Sequence, residues 1–248
     1  MLSARASIVL LIALPCMAAC GSSPTSPTTT PTTTSTTQVS TGTLQVLGTD
    51  TSVTFGLTAA SPVAVTFASL VLPDGTPVST AVKVGIGTSN GTTCTVTASA
   101  VTAAGLTAQV NGSLPVGTGC VSVTDVGGLP NPATYAVRII VGTSTTATTT
   151  AGTDTFISSL AVGGVTTRTF LSDPGAATVT LVSAGTTAAI KMGVGLWDGS
   201  ACRVTTSALT FAGGGLMIPV DQGQYCAQFS DPGVLTTTIQ LSATIAHP

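Results

Sequence analysis

Charged side chains are scarce in this chain. They make up 6% of its 248 residues, glutamate is absent, and the single histidine, His247, stands one position from the end of the sequence. A glycosidase would have to use two aspartates as its carboxyl pair. Ser-His-Asp catalysis would depend on a terminal histidine, which we expect to be loosely held. The sequence therefore predicts that the protein is not an enzyme.

Long apolar runs and basic clusters are missing as well. No segment after residue 19 is apolar over the ~20 residues that cross a bilayer, so we expect no transmembrane helix. Beyond residue 19, five basic residues stand against eight aspartates and leave a net charge of −3. That charge is too weak to attract nucleic acid, and the Gly-x-Gly motifs are not followed by a helix that would bind phosphate. We expect no nucleic-acid partner and no cofactor.

The first twenty residues, MLSARASIVLLIALPCMAAC, have the pattern of an export signal. Arg5 supplies positive charge, residues 8–14 are apolar, and small residues follow, as in secretory signal peptides. Residues 1–19 are therefore predicted to be removed. Cleavage as in an ordinary signal peptide, after Ala13 or Ala19, remains an alternative at this point.

Met17-Ala18-Ala19-Cys20 resembles the lipobox of bacterial lipoproteins. The resemblance implies cleavage before Cys20 and lipid on its sulfur. Two or three acyl chains hold a protein to a membrane almost permanently, whereas one chain binds only marginally. Gly21, in place of an aspartate, implies sorting to the outer membrane by the same resemblance. We expect a cell-envelope protein, facing the periplasm or the surface, whose membrane partner is reached through lipid on Cys20.

Residues 20–42 are rich in threonine, serine and proline. Such a composition buries little apolar area, and Pro24, Pro27 and Pro31 favour an extended polyproline II conformation. The segment is predicted to be a disordered stalk between the membrane and the folded part.

The remaining chain repeats itself. Residues 83–97 (KVGIGTSNGTTCTVT) align without gaps on residues 191–205 (KMGVGLWDGSACRVT), with seven of fifteen positions identical. One copy is predicted to cover residues 43–142 and the other residues 154–248. A polar joint at residues 143–153 connects them, and because few apolar residues lie there, we expect the copies to share little core.

Both copies have the pattern of short β-strands. Runs such as VAVTF, CTVTASAV and YAVRIIV are β-branched and partly alternating, and turn formers such as Pro-Asp-Gly and Asn-Gly separate them. With 43% hydrophobic residues a core can form. The sequence predicts an all-β protein with two tandem antiparallel β-sandwiches.

The end of each copy resembles the pre-peptidase C-terminal domain, a family of jelly-roll-like sandwiches found beside secreted bacterial enzymes. The resemblance lies in a turn at residues 222–226 (QGQYC), a related turn at residues 117–120 (GTGC), and the strand at residues 134–137 (TYAV). It implies a jelly-roll-like fold for each copy. The lipobox and the cysteines imply a lipoprotein subgroup without an attached enzyme.

The cysteines indicate one disulfide in each copy. Cys16 leaves with the signal peptide and Cys20 carries lipid, which leaves two cysteines at matching positions of each copy. Four cysteines allow three pairings, and the repeat selects the pairing within each copy in an oxidising compartment. A zinc site would need clustered Cys or His ligands. The predicted disulfides are Cys94–Cys120 and Cys202–Cys226.

Two weaker site hypotheses remain, together with one unexplained feature. Asp125 and Asp231 occupy equivalent positions and are alternatives for Ca²⁺ ligation, although turn capping is favoured, so no metal is predicted. Trp197 and Asp198 form a turn on which a sugar could stack, although packing of the tryptophan is favoured. Lys83 and Lys191 match across the copies, and the sequence offers no reason for them.

The favoured function is a non-enzymatic lipoprotein with a structural or binding role at the cell envelope, with a glycan or an envelope protein as partner. A carbohydrate-binding module that uses the turn around Trp197 is the alternative. A hydrolase is a distant third hypothesis.

Overall fold

Sixteen β-strands and no helix are found in the part of the chain that this computed structural model describes, which is residues 35–142, 151–185 and 187–248. Cys20 and the predicted signal peptide lie outside these residues. The strands are β1 (Thr36–Leu44), β2 (Thr49–Leu57), β3 (Ser61–Val71), β4 (Val82–Ser89), β5 (Cys94–Thr102), β6 (Val110–Leu114), β7 (Gly117–Asp125), β8 (Ala133–Val141), β9 (Gly152–Leu160), β10 (Val165–Ser172), β11 (Gly175–Ala184), β12 (Ile190–Trp197), β13 (Cys202–Thr210), β14 (Gly215–Val220), β15 (Gly223–Ser230) and β16 (Ile239–His247).

The strands pair into four antiparallel sheets with the same order in both copies. In the first copy the orders are β1-β8-β3-β6 and β2-β7-β4-β5, and in the second they are β9-β16-β11-β14 and β10-β15-β12-β13. Adding eight to each strand number of the first copy reproduces the second. Two four-stranded sheets connected in this order form a jelly roll. The predicted fold class, two tandem jelly-roll-like sandwiches, is confirmed.

Alternation of apolar and polar residues explains why these segments are strands. In β11, Ala177, Val179 and Leu181 are buried while the residues between them are partly exposed. Successive side chains of a strand point to opposite faces, so such a pattern supplies one face to a core. Each sandwich accordingly encloses its own cluster of buried aliphatic and aromatic side chains.

The two sandwiches also bury residues against each other. Ala68 of β3 and Leu106 of the β5–β6 loop are fully buried and belong to the core cluster of the second sandwich, and Val39 of β1 packs against it. The hydroxyl of Thr205 on β13 donates a hydrogen bond to the carbonyl of Ala68. The expectation of little shared core is therefore wrong, because the contact is made by β1, β3 and a loop rather than by the joint.

The folded part begins earlier than the predicted boundary at residue 43. Strand β1 starts at Thr36, inside the segment predicted to be a stalk, and pairs with β8 from Thr36↔Val141 to Leu44↔Ala133. Threonine suits both an open linker and an edge strand. Composition alone could not separate the two. Residues 143–150 of the predicted joint lie outside the described residues, and β9 begins at Gly152.

The two predicted disulfides are present. Cys94 is joined to Cys120 and Cys202 to Cys226, with Cα–Cα distances of 5.9 and 5.7 Å. In the first copy the bridge links β5 and β7, which flank β4, and Cys120 is paired with Gly87 of that strand. The bridge therefore crosses β4 beside Gly87, which has no side chain.

A bulge in the cysteine-bearing strand β5 brings its backbone close to Gly87 of β4. The register of β4 with β5 shifts between Ile86 and Gly87, and a β-carbon on Gly87 would overlap the carbonyl oxygen of Thr95. In the second copy a β-carbon on Gly195 would overlap the carbonyl oxygen of Arg203 in the same way. This close approach explains the second glycine of each Gly-x-Gly motif, for which the sequence alone gave no structural reason.

Each disulfide should stabilise the protein separately. Because the bridges close loops with sequence separations of 26 and 24 residues, replacing either pair by alanine should lower the free energy of unfolding by about 3 kcal/mol in the chain-entropy view. Urea denaturation of the wild type, of Cys94→Ala/Cys120→Ala and of Cys202→Ala/Cys226→Ala measures this loss. Non-reducing peptide mapping of the wild type is the control, and a bond between the copies or free thiols in it would contradict the pairing.

Candidate functional site

A buried arginine occupies the centre of the contact between the sandwiches. Arg138 of β8 is 2% exposed, and its strand neighbours across the sheet are Val39 and Thr66. Its Nη1 donates to the hydroxyl of Tyr225 at 2.9 Å, and its Cζ lies 5.4 Å from the centre of that ring. A buried guanidinium is tolerated where acceptors and a π-face replace water. Arg138 thus fixes β8 of the first sandwich against β15 of the second.

Asp221, in the β14–β15 loop, extends this contact. Its carboxylate lies 3.8 Å from Nη2 of Arg138 and accepts a hydrogen bond of 2.6 Å from the backbone N–H of Ala108. The N–H of Asp221 donates to the carbonyl of Leu106 at 3.2 Å, and Leu106 forms an isolated parallel bridge with Val220. The β5–β6 loop of the first sandwich is therefore bound to the second through its backbone.

Tyr225 completes the cluster that we call the latch, which consists of Thr66, Leu106, Arg138, Asp221 and Tyr225. The Tyr225 hydroxyl donates to the carbonyl of Asp221 at 2.6 Å. Burial raises the pKa of Tyr225 above its ordinary value, and the positive charge of Arg138 opposes that rise in part. The phenol stays protonated at neutral pH and acts as a neutral donor and acceptor.

A cavity with a volume of about 620 Å³, which we call the main cleft, lies beside the latch. The first sandwich contributes residues 76–79 and 103–107, from the β3–β4 and β5–β6 loops. The second contributes Lys191 of β12, residues 205–209 of β13 and residues 218–219 of β14. Clefts of this size between domains are common ligand sites, and this one exists only because the sandwiches meet.

A smaller cleft of about 280 Å³ contains the predicted Trp197 and Asp198. Trp197 is half-buried and shares the cleft with Thr37, Arg138 and Gln224. The tryptophan therefore lies at the rim of the contact between the sandwiches and not on a projecting loop.

Asp198 is occupied by its own turn. Its Oδ1 accepts hydrogen bonds from the N–H groups of Ser200 and Ala201, and its Oδ2 lies 2.6 Å from Nε of Arg203. Burial alone would raise the pKa of Asp198, but these hydrogen bonds outweigh it and lower the pKa to about 2. This carboxylate is a turn cap and has little capacity left for a ligand.

Asp125 caps the β7–β8 loop. Its Oδ1 accepts hydrogen bonds from the N–H groups of Gly127, Gly128 and Leu129, and its Oδ2 accepts one of 2.8 Å from the N–H of Leu47. One carboxylate thus holds two neighbouring loops together.

Asp231 does the same in the second copy. Its Oδ1 accepts from Gly233, Val234 and Leu235, and its Oδ2 accepts from Gly163 at 2.8 Å. Among the described residues no three Asp, Glu, His or Cys side chains are close enough together to hold a metal ion. The geometry is that of a repeated turn cap, and it gives the calcium alternative no support.

Lys83 and Lys191 hold equivalent places in β4 and β12 but differ in surroundings. Lys83 is exposed on the outer face of the first sandwich, whereas Lys191 is half-buried and lines the main cleft. The copies therefore diverge here in environment and not in sequence.

His247 is held more firmly than its place near the terminus suggested. It is the last residue of β16, its ring stacks on Phe170 with a centroid distance of 5.9 Å, and its Nε2 lies 3.9 Å from Oδ2 of Asp154. The expectation of a loose histidine is wrong, because β16 pairs with β9 up to His247↔Gly152. Of the described residues that line the cleft of about 390 Å³ at this histidine, none is serine or cysteine.

Within residues 35–142, 151–185 and 187–248, no helix has the length and hydropathy that crossing a bilayer requires.

The chain matches no family model and no curated protein. Among solved structures it is similar to the PBSX exported protein XepA, with 12% identity over 85% of this chain and 86% of that chain and a TM-score of 0.29. It is also similar to a recombinant peptide:N-glycanase F, with 10% identity over 86% of this chain and 95% of that chain and a TM-score of 0.30. Likenesses at this level carry no argument about function.

The latch was missed by the sequence analysis, although one signal for it was present. Arg138 interrupts an otherwise apolar strand, YAVRIIV, at residues 135–141. A charge in a strand that is buried on both faces requires partners from outside its own sheet. Asp221 and Tyr225, by contrast, are ordinary turn and strand residues whose role no local pattern reveals.

The turn caps should make stability depend on pH. The hydrogen bonds from Leu47 and Gly163 are the largest causes that hold the pKa values of Asp125 and Asp231 below their ordinary value. A carboxyl with a lowered folded pKa stabilises the fold above its unfolded pKa of about 3.9, and this contribution is lost as pH falls through the folded pKa. Asp125→Ala and Asp231→Ala should therefore lower Tm at pH 7, with a smaller deficit at acid pH.

Thermal melts between pH 2 and pH 7 measure this effect, and Asp74→Ala is the control. Asp74 is exposed and accepts a hydrogen bond from the N–H of Thr76 within its own turn, so Asp74→Ala should lower Tm less than the loss of a cap that joins two loops. If added Ca²⁺ raises the Tm of the wild type but not that of Asp125→Ala and Asp231→Ala, the metal alternative is correct and the capping interpretation is insufficient.

The latch requires glycine at residue 223. A β-carbon on Gly223 would overlap Nη1 of Arg138, and a shift of the guanidinium away from it would break the hydrogen bonds that Nη1 donates to Tyr225 and to the carbonyl of Gln222. Gly223→Ala should lower the free energy of unfolding by about 1–3 kcal/mol, the usual cost of overpacking. Gly56→Ala, whose β-carbon meets nothing within 4 Å, should be nearly neutral. If Gly223→Ala and Gly56→Ala are equally stable in urea denaturation, the packing of Arg138 does not require a glycine at residue 223.

Proposed function

We propose that the protein is an exported, lipid-anchored protein of the bacterial cell envelope with a non-catalytic binding role, and that the main cleft is its binding site. The observation that carries the binding role is the cleft of about 620 Å³ to which both sandwiches contribute. The anchoring rests on the sequence Met17-Ala18-Ala19-Cys20.

Two features support export. The apolar run ahead of Cys20 has the form of a signal peptide, and each sandwich carries a disulfide. Disulfides persist in oxidising compartments such as the periplasm and the cell surface. Fifteen residues separate Cys20 from β1, a length that reaches at most about 50 Å when extended. The sandwiches would then lie within that distance of the lipid.

The composition of the cleft supports binding rather than catalysis. Its described lining is aliphatic and hydroxyl-bearing, with Lys191 as the one charged residue. Binding pockets commonly combine apolar walls with a few polar groups that orient the ligand. A non-catalytic role also agrees with a sequence that has one histidine and no glutamate.

Carbohydrate binding at the smaller cleft is the second candidate. Trp197 lies there beside Gln222 and Gln224, and a tryptophan ring next to amide groups is suited to stack on and hydrogen-bond a sugar. Because Trp197 is half-buried, only part of its face is available for stacking. A glycan array probed with the wild type and Trp197→Ala separates this candidate from the first.

Replacing the lipidated cysteine tests the anchoring. Cys20→Ser removes the sulfur that would accept the lipid, so the variant should move from the detergent phase to the aqueous phase on Triton X-114 partitioning and should incorporate no labelled fatty acid. Cys16→Ser is the matched control, since that cysteine lies within the signal peptide and should not matter. A Cys20→Ser protein that stays in the detergent phase with its label would overturn the proposal.

A further inference from the structure

The repeat contains an internal comparison that points to a ligand. Lys83 and Lys191 occupy the same place in β4 and β12, and the strands pair with their neighbours in the same way. Lys83 faces solvent, whereas Lys191 lies under the first sandwich and lines the main cleft. Of these two equivalent lysines, Lys83 is exposed and Lys191 lines a cavity.

The edge strand next to each lysine, β5 in the first copy and β13 in the second, also differs in exposure between the copies. In β5 the residues alternate between exposed and half-buried, while nearly all of β13 is half-buried. The first sandwich covers β13, and residues 205–209 form one wall of the cleft. The first sandwich therefore shields β13 from water in part, and the cleft beside it stays accessible.

The Lys191 ammonium has no direct partner among the described residues, where it makes neither a hydrogen bond nor an ion pair. Hydrogen bonds from Thr76 lower the pKa of the exposed Asp74, and the charge of Lys191 makes a smaller contribution. Asp74 is not among the residues that line the cleft. The charge of Lys191 is therefore offset in part by Asp74 from outside the cavity, and no carboxylate of the lining pairs with it.

The walls around this charge are apolar and without aromatic rings. Leu209, Ile218, Pro77 and Val78 supply aliphatic surface, and Thr206 and Ser207 supply hydroxyl groups. No carboxylate lines the described part of the cleft, so a cation is not an attractive ligand there. The absence of an aromatic ring from this lining likewise gives a sugar no stacking surface.

We propose that the main cleft binds a small organic carboxylate with an aliphatic body, whose head group pairs with Lys191 and whose body lies along Leu209 and Ile218. The inference rests on the proposed binding role of the cleft and adds the class of ligand. A carboxylate is the complement of an ammonium that makes no hydrogen bond or salt bridge within the cleft, and hydroxyl groups beside it donate the remaining hydrogen bonds. A volume of about 620 Å³ accommodates a chain of medium length.

Isothermal titration calorimetry with straight-chain carboxylates tests the proposal. The full chain carrying Cys20→Ser is titrated with butyrate, hexanoate and octanoate, so that no attached lipid competes. Affinity should rise with length by up to about fourfold for each buried methylene and should fall as ionic strength rises.

Lys191→Gln and Lys83→Gln form the matched pair of variants. Octanoate should bind Lys191→Gln at least about tenfold more weakly, because a charge-assisted hydrogen bond is lost, and it should bind Lys83→Gln as it binds the wild type. Octanol has the same aliphatic chain without the charge, so it should bind the wild type and both variants with equal affinity. Thermal melts check that both variants remain folded, as their partly or fully exposed side chains lead us to expect.

Three outcomes would overturn the proposal. Octanoate binding that is equal in the wild type and Lys191→Gln would show that the lysine does not recognise the head group. Octanol binding the wild type as tightly as octanoate would show an apolar cleft without charge selection. No binding of any carboxylate to the wild type would exclude the ligand class. None of these results affects the lipid anchor, which Cys20→Ser tests separately.

Discussion

The burial of Arg138 is the constraint on which the relation between the two sandwiches depends. A guanidinium that is 2% exposed would be costly without partners, and its own sheet offers only the hydroxyl of Thr66, at 3.4 Å. The other partners come from the β5–β6 loop and from the second sandwich, namely the carbonyls of Leu106 and Gln222, the hydroxyl of Tyr225 and the carboxylate of Asp221. Nη1 of Arg138 therefore finds its acceptors only when both copies are folded and in contact, whereas Nε has no hydrogen-bond partner among the described residues.

This contact turns a symmetric repeat into an asymmetric molecule. The strand pairings place Thr244 in β16 where β8 has Arg138, and Gly119 precedes the cysteine of β7 where Tyr225 precedes that of β15. Each half of the latch thus exists in one copy only. Equivalent features that lie away from the contact, such as the disulfides and the aspartate caps, are the same in both copies. The residues that make the latch asymmetric lie on the surfaces that meet.

The sequence could predict the features that lie within one copy, but not those formed where the two copies meet. Strand alternation, turn residues and the internal repeat are local or self-comparing signals, and they were sufficient for the two jelly rolls and for the pairing of Cys94 with Cys120. The start of β1 was missed because a threonine-rich edge strand and a threonine-rich linker have the same composition. The main cleft was missed because its walls come from a loop and a strand about a hundred residues apart, residues 103–107 and residues 205–209 of β13, and no short-range pattern records their meeting.

The latch and the main cleft are physically coupled because they share a loop. Residues 103–107 form one wall of the cleft, and the same loop is held to the second sandwich by Leu106 and by the N–H of Ala108 on Asp221. The position of that wall is therefore set by the latch. A ligand that contacts both walls favours the docked arrangement, and the docked arrangement favours the ligand by the same free energy. Each sandwich has its own core and its own disulfide, so the rigidity of the cleft depends on the contact between them rather than on either fold alone.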